Sequence, residues 1–226
     1  MEKLNSDVHV ILLDIDGTIK DLVKENTDAL IRTMEAMGRV DSKLRGKFVL
    51  FINRIMMTFV KCGLLPTNGI MQGMLLLVYS ILLLKKHTEF KKTYFAIYNS
   101  INIFFENVDK EIKYVFDNNI DVYLVTKNSQ NKSVLDCSFL KGVTDFVTGG
   151  KEFKYYTYRN LVKKLGNSKE SIVIIGDNFW DDVLPALILG VKVVWINRYA
   201  CKMKKNIIRL ITLMSDKVLT EDDIYS

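Results

Sequence analysis

With 226 residues, 49% of them hydrophobic and 26% charged, the chain can bury one core, or a core carrying a smaller insert. Cys62, Cys137 and Cys201 are odd in number and lack paired-ligand spacing, which argues against a disulfide framework or zinc site and for reduced thiols in a cytoplasmic protein. The net charge of +6 is local: 13 of the 32 basic and 7 of the 26 acidic residues fall within residues 19–108, and the rest balances. Such a surface can steer anionic substrates, but no dense basic stripe or recognised motif points to nucleic acid.

The apolar run 8–13 is too short for a signal peptide and ends in acid. Within it, HVILL (9–13) reads as a buried parallel strand that stops at Asp14-Ile15-Asp16-Gly17-Thr18. From residue 22 to 108 no strand pattern recurs. Helices are expected over 27–37, 48–62, 69–84 and 89–105, with Asn26 and Asn68 as N-caps, Gly38 and Gly63 as stops and Pro66 in a loop. The most apolar stretch, 70–84 (IMQGMLLLVYSILLL), falls short of the ~20 residues that cross a bilayer, so no stable membrane insertion is expected. It reads as a buried helix of the insert; a homodimer contact and a patch for an apolar substrate are the other readings.

Beyond the insert, helices expected at 110–116, 155–165 and 180–189 alternate with strands at 122–125, 172–175 and 191–196. The pattern implies an α/β fold, a Rossmann-like parallel sheet with helices on both faces. Ligands of such sheets bind beyond the carboxyl ends of the strands. Acids stand at two of those ends. Asp14 and Asp16 leave the first strand, and Gly176-Asp177-Asn178-Phe179-Trp180-Asp181-Asp182 follows a later one. Asp177 and Asp181 are four apart and would face one side of a helix starting between them. Acids in a first helical turn also serve as dipole partners, the plain reading of Asp181 and Asp182. Oxygen ligands without His or Cys suit Mg2+, which takes one or two carboxylates plus substrate phosphate. Neutralised phosphate admits an anionic nucleophile, and carboxylates can form aspartyl-phosphates.

These residues resemble the haloacid dehalogenase superfamily of phosphatases, over 8–21 and 109–196. HVILLDIDGT resembles that family's first motif, VYLVTKNS its second and IVIIGDNFWDDVLPA its fourth. The resemblance implies Asp14 as nucleophile and magnesium ligand. It implies Asp16 as general acid and base whose backbone carbonyl also binds the metal, two protonation states in neighbouring carboxyls. Thr126 would donate to the phosphoryl group. Lys127 and Asn128 follow it where relatives often carry a small residue or Asn, so which amide completes the phosphate cradle stays open. The third motif's lysine, which counters transition-state charge, is read as Lys151 in preference to Lys154, although the prolines that commonly follow it are absent. Asp177 would bind magnesium directly and Asp181 directly or through water, while Asp182 reads as a helix-surface acid. The resemblance further implies a catalytic core of residues 1–21 and 109–226 and a helical cap of 22–108. The expected activity is hydrolysis of a small phosphorylated metabolite, broadly like phosphoglycolate phosphatase. The alternatives are a sugar-phosphate mutase and a noncatalytic binding protein that retains the fold.

Overall fold

Alternate side chains of a strand point to opposite faces, so a strand buried on both sides can seed two cores at once. Strand β1 (Val10–Asp14) does this, all five residues being buried. Val10 and Leu12 join one cluster, Ile11 and Leu13 the other. The structure, a computed structural model, describes residues 8–38, 43–63, 69–149, 153–215 and 218–219.

Around β1 the sheet is built from β2 (Asp121–Thr126), β3 (Asp145–Thr148), β4 (Ile172–Gly176), β5 (Lys192–Trp195) and β6 (Val218–Leu219). The order is β3-β2-β1-β4-β5-β6, with every pair parallel. The chain fills the β2 side of β1 first and then crosses to the β4 side. This reversal opens a crevice beyond the ends of β1 and β4. One face is covered by Val108 and Ile112 of α5 (Val108–Asp117) together with Val134 and Leu140. The other is covered by α6 (Lys154–Leu165), α7 (Leu184–Leu189) and α8 (Lys202–Met214), through Tyr158, Ala186 and Ile208. Each aliphatic side chain fully buried in these layers contributes about 1.5–3 kcal/mol. The α/β expectation holds; β3, β6 and α8 are additions to it.

Between β1 and α5 lie α1 (Leu22–Ala36), α2 (Lys43–Lys61), α3 (Gly69–Leu82) and α4 (His87–Tyr98), packed on a third core that includes Leu30, Val49, Leu76, Phe90 and Tyr94. Two boundaries differ from expectation for one reason. Asp21 N donates to Ile103 O at 2.8 Å and Phe105 N to Ile19 O at 3.1 Å, so the outgoing and returning chains pair. That pairing ends the fourth helix at Tyr98 instead of residue 105. It also sets Asp21 as cap of α1, its carboxylate accepting from Lys24 N at 3.0 Å. Asn26, the expected cap, is inside the helix and donates to Leu22 O at 2.8 Å. Asn68 and Pro66 lie outside the described residues. Helix α3 buries Leu76 and Tyr79 at one side and leaves Met74 and Ile81 exposed, so it is half covered rather than buried. No helix among the described residues is long and apolar enough to cross a membrane. The cysteines are free, and the sulfurs of Cys62 and Cys201, 139 positions apart in sequence, lie 3.0 Å from each other.

Candidate active site

The last residue of β1 is Asp14, and the first after β4 is Asp177. Since β1 and β4 are neighbours, the two carboxylates meet across the crevice. After Asp14 the chain turns at once: the amides of Thr18, Ile19 and Lys20 all point to Ile15 O. Gly17 sits in this turn at φ +87°, where a Cβ would stand 2.4 Å from an Asp177 carboxylate oxygen. Only glycine permits both the backbone angle and the approach.

A third carboxylate completes the group. Oxygens of Asp14, Asp177 and Asp182 all lie within 4.8 Å of one another, and all three residues are buried. Asp182 is therefore no surface acid, as had been expected, but fully buried. The reason is the turn over Phe179–Val183, which is π-helical rather than α-helical. Val183 N reaches back to Asn178 O, five residues earlier, at 3.3 Å. In this wider turn the residue five after Asp177, not four, faces inward, and such π-turns recur at functional sites. Asp182 accepts from Asn178 N at 3.1 Å. Asp181, at the four-residue spacing, instead pairs with Lys127.

Lysine 154, at the start of α6, lies over this group. Its ammonium bonds Asp14 and, at 2.9 Å, Asp182, which also accepts from Tyr158 at 2.8 Å. Lys151 lies outside the described residues, so Lys154 is the lysine that the structure brings to Asp14. Burial disfavours the Lys154 ammonium, but Asp14 and Asp182 more than offset this and hold it well above the ordinary lysine range. Burial pushes Asp177 up to about 7 against the pull of Lys204, and Asp182 adds to the rise. Asp14 is pushed up by burial, and also by Asp182, Asp177 and Asp16, against the pull of Lys154. A cluster this crowded with negative charge has room in its electrostatics for a further cation. Three carboxylates and no soft donor fit a hard divalent ion such as Mg2+.

The surroundings hold these groups in place. Lys204 and the Trp195 indole both donate to Asp177 O, at 2.6 and 2.8 Å. Thr126, buried at the end of β2, accepts from Asn128 N at 3.0 Å. Asp16 is outside the trio of converging carboxylates, but its charge reaches Asp14, Asp177 and Glu25. Phe179 N donates to Gly63 O at 2.9 Å, so the end of α2 touches the Asp177 loop. Asp182, Tyr158, Trp195 and Lys204 are partners that sequence reasoning did not supply. The seven-residue acidic run contained Asp182, but a helix-spacing argument assumes 3.6 residues per turn and selects Asp181.

No family model matches the sequence, and no curated protein matches it. Comparison with solved structures shows that the chain has the fold of the haloacid dehalogenase (HAD) superfamily hydrolases. YfnB from Bacillus subtilis, a HAD-hydrolase by assignment whose structure is magnesium-bound, is similar at TM-score 0.65 and 18% identity, over 84% of this chain and 87% of that one. A predicted phosphoglycolate phosphatase from Haemophilus somnus 129PT gives TM-score 0.62 at 14% identity, over 84% and 85%. A hydrolase from Streptococcus pneumoniae TIGR4 gives 0.58 at 18%, over 91% and 99%. At these identities the likeness is one of fold.

Proposed function

We propose that the chain is a magnesium-dependent phosphatase that hydrolyses a small phosphate monoester through a phospho-aspartyl intermediate on Asp14. The observation that carries this reading is the convergence of Asp14, Asp177 and Asp182 beyond β1 and β4, with Lys154 bonded to two of them. Asp14, Asp177, Asp182 and the Asp16 carbonyl are the groups that would hold Mg2+, which when bound supplies positive charge to the phosphoryl oxygens.

Asp14 attacks phosphorus, and its new P–O bond forms as the bond to the leaving-group oxygen breaks. Asp16 gives that oxygen its proton. Asp16 then takes a proton from water as the water attacks the aspartyl-phosphate, releasing inorganic phosphate and restoring Asp14. Lys154 and Thr126 balance the charge that develops on the transferred group, with Lys151 a second candidate donor ahead of α6. Lys127 and Asn128 bind phosphate beside Thr126, and Asp181 acts by orienting Lys127. Residues 22–108 form a cap on a core of 1–21 and 109–226, closing over the substrate to exclude water.

The test is release of phosphate from p-nitrophenyl phosphate and a panel of metabolite phosphates. Activity should require Mg2+ and fall below about a thousandth in Asp14→Asn with an unchanged circular dichroism spectrum. Isomerisation of a hexose phosphate without free phosphate would make the chain a mutase. Inactivity of the wild type across the panel would reject the enzyme reading in favour of a noncatalytic relative.

A further inference from the structure

Helix α2 carries two apolar faces where a surface helix needs one. Val49, Met57 and Val60 are buried on the inner face. On the outer face Leu44, Phe48, Phe51, Ile55 and Phe59 recur at spacings of four, three, four and four, and each is 43–76% exposed. Helix α3 continues the surface with Met74, Leu77 and Ile81, exposed by 44–65%. The two stripes adjoin, because Leu44, Lys47 and Phe48 line a shallow apolar groove together with Leu82 of α3. Scattered exposed leucines need no explanation, but a continuous stripe of this length does.

The charge around the stripe selects what covers it. Residues 43–88 contain seven Lys and Arg and no Asp or Glu. Arg45, Lys47 and Arg54 are exposed on the same helix as the stripe. A second copy of this chain would bring like charges together, so self-association through this face is opposed. A nucleic acid would meet the cations but leave the phenylalanines in water. An anionic bilayer surface satisfies both: apolar side chains enter the acyl boundary while Lys and Arg reach the headgroups. Neither helix is long and apolar enough to span, α2 because it carries five Lys and Arg, so they would lie in the interface plane.

We propose that the outer face of α2 and α3 is a peripheral membrane-binding surface for anionic phospholipid. The site chemistry is not invoked, and the proposal stands whether or not the chain hydrolyses phosphate esters.

The test uses the full chain and sedimentation with sucrose-loaded vesicles. The protein should bind vesicles of phosphatidylcholine mixed with phosphatidylserine, fail to bind phosphatidylcholine alone, and be released as salt is raised. Phe51→Glu and, separately, Arg54→Glu should each weaken binding about tenfold or more while leaving the melting temperature and phosphatase rate unchanged. No binding to anionic vesicles would overturn the proposal. So would full binding by both variants. A wild-type dimer in sedimentation velocity that Phe51→Glu turns into a monomer would assign the face to a second copy and overturn it as well.

Discussion

In the turn after β4, five residues separate Asp177 from the acid that meets it, and the intervening Asp181 is left facing Lys127. The two neighbouring aspartates should therefore respond differently to removal of charge. Asp182→Asn is expected to raise the Mg2+ concentration for half-maximal phosphatase activity by about tenfold or more, as loss of a metal-holding group does. Asp181→Asn should instead raise KM, with a smaller change in the Mg2+ requirement. Asp182 also accepts from Lys154 and Tyr158. Asp182→Leu, which removes both oxygens, should leave Lys154 paired with Asp14 alone and cost about 1–3 kcal/mol, readable as a lower urea midpoint at unchanged m. Lys154→Met should abolish turnover more completely than Lys151→Met. That Asp14 and Asp177 stand at strand ends was legible, because apolar runs of branched residues stop abruptly there. The inward turn of Asp182 was not, since nothing in FWDDV distinguishes a π-turn from an α-turn.

The segments that connect the sheet to α1–α4 hold a carboxyl and an amine side by side in a dry place. Glu25 is fully buried on α1, 3.1 Å from Lys20, and accepts from Ile103 N at 2.8 Å. Burial, partly opposed by Lys20, lifts its carboxyl from 4.5 to about 7. The folded protein therefore binds this proton more tightly than the unfolded chain between pH 4.5 and 7. Stability from this group is greatest below that window and falls by about 1.4 kcal/mol per pH unit as pH rises through it. Chemical denaturation across this range should show the slope of wild type minus Glu25→Gln to be negative; a flat difference would contradict the assignment. The helices of the insert were legible from their apolar periodicity. Their ends were not, because the pairing of Asp21 with Ile103 joins positions far apart in sequence, which no local pattern encodes.

At the scale of the whole chain, two cores flank one sheet, a third lies among the helices of the insert, and the carboxylates lie where the sheet order reverses. A cation that binds this cluster only in the folded state stabilises by mass action, about 2.7 kcal/mol at a hundred times its Kd. For a chain of this size that corresponds to a rise in melting temperature of roughly 5–10 °C. Scanning calorimetry with Mg2+ and with chelator measures it directly, and the shift should vanish in Asp14→Asn. The alternation of strands and helices made the parallel sheet readable in advance. The outer stripe of α2 was hidden in sequence because apolar residues there signal burial by default, and only exposure separates the two faces.

Two residues beyond α2 lies Gly63, whose carbonyl takes the Phe179 amide and whose α-carbon leaves no space for a methyl beside Asp177 O, a Cβ falling 2.2 Å from it. The helix that carries the phenylalanine stripe is thus hinged on the same peptides that aim two of the three carboxylates. A swing of α2 that carried Gly63 with it would break a backbone hydrogen bond to the acidic loop. The apolar stripe on this 19-residue helix is thus joined, through Gly63, to the loop beside which a cation would rest.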